Sequence, residues 1–207
     1  MAKDLDVIQL LNNLKNIHRT GPNLFAGIPA SSIESISDHS YKVTYLCVIL
    51  AKYFDGVNLE KLLLNAITHD WAEAIVMDVP SGSPSFSSYF DQNIREIFKT
   101  AELKAKTEIL GDIDLSLPNM SDLESIVLDF CDGVAVLFEM IDYKQKGYNH
   151  EWIDRMFAVR TDSLMKMVNE KVPESSKEFF KSFISDLQFL FEQKYMVNKY
   201  LTKATRK

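Results

Sequence analysis

"LLLNAITHDWAEAIVMDVPSG", Leu62 to Gly82, begins as an apolar helical run, then sets a His beside an Asp, a Glu three positions later and a further Asp before a Pro. Ionisable groups on a buried face are costly unless they are paired, hydrogen-bonded or bound to a metal. Leu59, Leu63 and Ala66 precede Asp70 by eleven, seven and four residues, so a helix continuing through the pair would aim Asp70 along the buried stripe. His69 adjoins it and Glu73 follows His69 by four, which gives one helix face an imidazole and two carboxylates.

Two more segments carry ionisable groups where the periodicity asks for apolar ones. A helix expected from about Ser35 to Phe54 has Ile36, Val43, Leu46, Cys47, Leu50 and Phe54 on one stripe, and His39 lies on that stripe four residues before Val43. Another, opened by the capping-box pattern Ser121-x-x-Glu124, aligns Asp132 with Leu128, Ala135 and Glu139. Two histidines and two aspartates on inward faces of three helices form the donor set that a divalent cation uses inside a helical bundle. The bland alternatives are a hydrogen-bonded core histidine and an inter-helix salt bridge. His18 and His150 fit no such stripe and read as loop or surface residues. Asp112 and Asp114 do not follow a calcium-loop spacing and read as a solvated turn.

The rest of the chain is consistent with an all-α architecture. With 46% hydrophobic residues in 207, one sizeable core is affordable, and 7 Gly and 6 Pro are too few for many short strands and tight turns. Helices are expected over Asp4 to Ile17, Ser35 to Phe54, Asn58 to the His-Asp pair, Tyr89 to Leu110, Ser121 onward, Glu151 to Val172 and Ser175 to Leu201, about six or seven in one domain over 1–207. The segment "HRTGPNLFAGIPASSIES" reads as an ordered loop. The Phe-rich C-terminal helices over 151–201 would close the bundle or form a dimer seam.

A net charge of −6 gives no footprint for a nucleic-acid polymer. An acidic chain can still bind a small phosphate compound if an Arg or a metal supplies local positive charge. The basic tail "KYLTKATRK" reads as solvated, and Cys47 and Cys131, the only two cysteines, read as buried free thiols. The opening "MAKDLDVIQLL" lacks the layout of a secretory leader and no apolar run approaches the ~18 residues of a membrane span. The expectation is a cytoplasmic protein without a membrane partner.

Three blocks in one order carry a family resemblance: "ESISDHS" at Glu34 to Ser40, "HDWAEAIVMDVPS" at His69 to Ser81 and "VLDFCDGVAVLFEM" at Val127 to Met140. With them the chain resembles the HD-domain metal-dependent phosphohydrolases, which are helical bundles, and most of all their 5′-deoxynucleotidase subfamily, from about Leu10 through Gly147. The resemblance implies metal ligands at His39, His69, Asp70 and Asp132, catalytic acids at Glu73 and Asp78, and a phosphate contact from Arg19. It also implies a homodimer and a nucleotide substrate. No histidine lies between Asp70 and Asp132, which favours one metal ion, and the donor set suits Mn, Co, Fe, Ni or Zn. Thr20 stands where the subfamily places a Trp after its Arg, and "SGSPSF" lacks the basic residue sometimes found after the Pro.

These features predict a phosphohydrolase that removes the 5′-phosphate from (deoxy)nucleoside monophosphates with a metal-activated water. Hydrolysis of another phosphate ester, a metal-stabilised nucleotide-binding module and a purely structural bundle are the alternatives. Ligands alone suffice for binding, whereas Glu73 and Asp78 are surplus unless protons move.

Overall fold

The computed structural model describes residues 2–79 and 94–193, and among them it has nine α-helices and no strand. They are α1 (Ala2–Asn12), α2 (Thr20–Ala26), α3 (Ile36–Leu50), α4 (Leu59–Ile67), α5 (Glu73–Val76), α6 (Ile94–Asp112), α7 (Asp122–Gln145), α8 (Glu151–Lys171) and α9 (Glu174–Glu192). No helix among the described residues is long and apolar enough to cross a membrane. The loop "SGSPSF", the start of the helix expected at Tyr89 and the basic tail lie outside the described residues. The chain divides into two compact units, Met1–Cys131 and Asp132–Lys207, with the boundary inside α7.

Local chemistry sets the helix starts of the first unit. Ser35 and Asp38 form a reciprocal capping box: Asp38 N donates to Ser35 Oγ at 3.1 Å, and Ser35 N donates to Asp38 Oδ2 at 3.0 Å. Ser121 and Glu124 repeat it at the start of α7, where Ser121 N donates to Glu124 Oε2 at 2.7 Å. The second Glu124 oxygen accepts from Asn58 N at 2.9 Å, so one carboxylate ties the entry of α4 to the entry of α7. Packing then fixes the pair α3 and α4, which are in extensive contact. On α3 the buried stripe is Ile36, His39, Val43, Leu46, Cys47 and Leu50, and on α4 it is Leu62 and Ala66. Both cysteines are buried thiols.

Two segments depart from the sequence expectation. The loop at Thr20 contains α2, closed by Gly27 at φ 63, a left-handed position that suits glycine. The helix expected to run through His69 and Asp70 ends at Ile67. Side chains take over its last carbonyls: Thr68 Oγ1 donates to Leu64 O at 2.8 Å, and His69 Nδ1 lies 2.6 Å from Ala66 O. The chain then turns through 68–72 before α5, and the His-Asp pair sits on that turn. Such local side-chain bonds offer the backbone an alternative to continuing the helix.

In the second unit, α8 packs against α9, and Phe157 of α8 stacks on Phe191 of α9 at a centroid distance of 3.8 Å. Gly133 lets Leu164 of α8 lie close to α7, since a Cβ there would fall 2.7 Å from a Leu164 methyl carbon. His150 is exposed and accepts from Trp152 N as the N-cap of α8, in keeping with a surface residue.

Candidate functional site

An apolar cluster holds together the segments that carry the candidate site residues. Leu14, Ile17, Ile36 and Ala74 are buried against one another, with Leu10, Leu11 and Trp71 packed on them. The residues before α2 lie antiparallel to the entry of α3: Ile36 N donates to Ile17 O at 2.8 Å, and Arg19 N donates to Glu34 O at 3.2 Å. This register brings the Arg19 guanidinium to 4.0 Å from Asp70 Oδ2.

His39, His69 and Asp70 converge, with donor atoms within 4.8 Å of one another. His69 Nε2 lies 3.0 Å and His39 Nε2 3.9 Å from Asp70 Oδ2. The Ala66 carbonyl can only accept, so it holds the His69 proton on Nδ1 and leaves a lone pair on Nε2. That Nε2 is buried and has no hydrogen-bond partner. Two electron-rich atoms 3.0 Å apart, one of them orphaned, call for a cation between them. Donors bound to a single ion at about 2.1 Å stand roughly 3.0–4.2 Å apart, a range that holds both separations from Asp70 Oδ2, so the cluster fits one transition-metal ion. His39, wholly buried, faces Glu34 Oε1 with its Nδ1 at 3.2 Å, the carboxylate–histidine arrangement that orients a metal-ligating imidazole. Lys42 donates to the other Glu34 oxygen. Burial alone would raise the Glu34 pKa, but the His39 and Lys42 contacts outweigh it and hold the carboxyl below its ordinary range.

The acids separate into distinct environments. Burial works against the charge of Asp70 too, yet a proton on His69 between the two, then His39 and Arg19, hold its pKa below the usual carboxylate value, and a bound cation takes that proton's place. Glu73 is the opposite case: burial, then the Asp70 and Asp78 carboxylates, push it up to about 9. Its Oε2 is buried without a hydrogen-bond partner. Asp78 is tied down, accepting at Oδ2 from Thr20 N at 2.5 Å and from Thr20 Oγ1 at 2.9 Å. Met77 turns the chain towards that contact with φ 66 and ψ 167, a conformation costing about 1–3 kcal/mol in a residue other than glycine.

A cleft of about 360 Å³ opens beside this group, lined by His69, Asp70, Ala72 and Glu73 and by Lys99, Glu102, Leu103 and Lys106 of α6. Its size is within the range of small-molecule sites. The α6 residues are additions to the sequence reading, which followed only the apolar stripe of that helix. Their signal was the spacing of Lys99, Glu102, Leu103 and Lys106, three, four and seven residues along one face. Asp132 lies on α7, half-buried, as the first residue of the second unit.

The fold and this cluster define a class, and the chain belongs to it: residues 11–179 match the model of the HD domain family. Its relatives and its fold place it with the HD-domain phosphohydrolases. A 5′-deoxynucleotidase of Saccharomyces cerevisiae is 24% identical over 186 residues, covering 84% of this chain and 76% of that protein. The 5′-deoxynucleotidase of Vibrio cholerae is 25% identical, covering 78% of this chain and 86% of that protein. Among solved structures, a conserved hypothetical protein from Pyrococcus furiosus superposes with a TM-score of 0.64 at 25% identity, covering 89% of this chain and 99% of that one. An HD-domain phosphohydrolase from Listeria innocua has the same fold, with a TM-score of 0.63 at 23% identity and 97% of both chains covered.

Proposed function

We propose that this protein hydrolyses the 5′-phosphate ester of nucleoside monophosphates, deoxynucleotides among them, to the nucleoside and inorganic phosphate. The observation that carries the reading is the orphaned His69 Nε2 facing Asp70 and His39, beside the Glu73 carboxyl, its buried Oε2 also without a hydrogen-bond partner, in the same cleft. Relatives named as 5′-deoxynucleotidases supply the substrate class.

His39, His69 and Asp70 would hold the ion, and the sequence pattern adds Asp132 as a fourth ligand. Imidazole and carboxylate donors suit Mn, Fe, Co, Ni or Zn. A divalent ion of this kind, when bound, makes water a nucleophile near neutral pH and polarises the phosphoryl oxygens. Arg19 neutralises phosphate charge with a forked pair of N–H donors. Glu73, kept protonated by burial and its acidic neighbours, is placed to give its proton to the leaving 5′ oxygen as the P–O bond breaks and the water oxygen bonds to phosphorus. Two carboxyls whose environments drive their pKa values apart, Asp70 down and Glu73 up, are a recurrent sign of such a division of labour. Asp78, engaged by Thr20, positions the Arg19 segment and moves no proton.

The test is phosphate release by the purified protein with Mn²⁺ or Co²⁺ across ribo- and deoxyribonucleotides of each base. Activity on 5′-monophosphates is expected, with Asp70→Ala reducing both metal content and turnover to background. Full activity in Asp70→Ala, or metal bound without any turnover, overturns the reading.

A further inference from the structure

Resting on that reading and extending it, we propose that Lys106 of α6 is a substrate-binding residue, contacting the substrate phosphate from the wall of the cleft formed by α6. Lys99, farther out on the same face, attracts the anion to the cleft mouth. The chain carries a net charge of −6, and Asp70 and Glu102 line the cleft, so a phosphate dianion needs local cations there. Arg19 is one, placed beside Asp70. On α6 the face at Lys99, Glu102, Leu103 and Lys106 is turned into the cleft, although its charge pattern alone reads as solvated.

Lys106 is half-buried, and among the described residues it makes no ion pair within 4.0 Å and no hydrogen bond, not even with Glu102 one turn away. A partly desolvated ammonium with no local partner is a cost that an incoming anion removes. Burial lowers its pKa and Asp70 partly restores it, in keeping with a cation facing the metal cluster. Lys99 stands seven residues away, about 10.5 Å along the helix axis, and is exposed where Lys106 is half-buried. Lys106, the half-buried one and the one on which the Asp70 charge acts, takes the contact near His69 and Asp70, and exposed Lys99 acts through its field.

The experiment measures inorganic phosphate binding to the full-length, Mn²⁺-loaded protein by calorimetry, alongside steady-state kinetics on a deoxynucleoside monophosphate. Lys106→Met is expected to raise the phosphate Kd and KM by about 10- to 100-fold, as for a lost charge-assisted hydrogen bond. Metal affinity, kcat and Tm should change little, and Lys106→Arg should recover most of the binding. Lys99→Met should lower kcat/KM at low salt and match the wild type at high salt. A phosphate Kd within twofold of wild type in Lys106→Met overturns the proposal. So does an equal loss of Mn²⁺ affinity, which would make the weaker phosphate binding a consequence of a damaged metal site. Lys106→Gln, with its Tm recorded, separates lost binding from lost folding. Wild type that binds phosphate yet hydrolyses no nucleotide would defeat the nucleotidase reading and leave Lys106 as an anion ligand.

Discussion

Thr20 and Asp78 are joined three times: Thr20 N and Oγ1 donate to Asp78 Oδ2 at 2.5 and 2.9 Å, and Thr20 Oγ1 donates to Asp78 O at 3.2 Å. Thr20 follows Arg19 and Asp78 follows Met77, so this clamp locks the guanidinium-bearing segment to the chain leaving α5. The residue that departs from the resembling subfamily's Trp thus has a structural task of its own. Thr20→Val keeps the backbone donor and the side-chain shape but removes both hydroxyl bonds, and it should cost about 1–2 kcal/mol of stability. Thr20→Ser should stay within about 0.5 kcal/mol of wild type. Urea denaturation of the two variants decides it, and equal stability of Thr20→Val and wild type would show the clamp to be idle.

Glu34 and Lys42 set the orientation of His39. With the Glu34 carboxylate accepting from Nδ1, the His39 lone pair is left on Nε2, the atom nearest Asp70. Glu34→Gln presents a neutral amide in place of that acceptor and loses the Lys42 pair. Metal affinity should fall about 10- to 100-fold, as is usual when the partner of a ligating histidine is removed. The competing view, a merely structural Glu34, predicts unchanged affinity with a lowered Tm. Titration of Mn²⁺ into metal-free protein, with Tm recorded in parallel, distinguishes the two.

The convergence of His39, His69 and Asp70 is legible in the sequence because these ionisable groups break an apolar period: His39 on the stripe of α3 and the His69–Asp70 pair after Leu59, Leu62 and Ala66. The caps at Ser35 and Ser121 were readable because their partners lie three residues away. The end of α4 at Ile67 was not, since the apolar spacing runs on in register to Asp70 while the stop is made by Thr68 and His69 bonding back to Leu64 and Ala66. Both arrangements place Asp70 beside His69, so the sequence pairs the two residues while giving them the wrong local backbone. Lys99 and Lys106 are not legible as cleft residues in the sequence for a related reason. A mixed-charge helix face looks the same in sequence whether it meets solvent or a cleft, and only the packing of α5 on α6 tells them apart.

The raised Glu73 pKa has a consequence for stability whose sign is fixed. A carboxyl at about 9 in the folded chain and 4.5 in an unmodified reference binds more protons folded than unfolded between those values. Its contribution to stability is therefore fully present below pH 4.5 and is lost as pH rises through about 9. Asp70 and Glu34, with lowered pKa values, act in the opposite direction and only in acid, so they leave the alkaline limb to Glu73. For metal-free protein in a chelator, Tm should fall steadily from pH 6 to pH 9. Glu73→Gln mimics the protonated form, and its Tm should be higher at pH 8 and flatter across the range. Adding Mn²⁺ to wild type places positive charge near Glu73 and should move the alkaline loss of stability to lower pH without ionising Glu73 at neutral pH, so proton release from Glu73 on metal binding, read by calorimetry in buffers of different ionisation enthalpy, should appear only in alkali. A Glu73→Gln profile parallel to wild type would mean that Glu73 is already ionised at neutral pH, and the proton-donor role would fall with it.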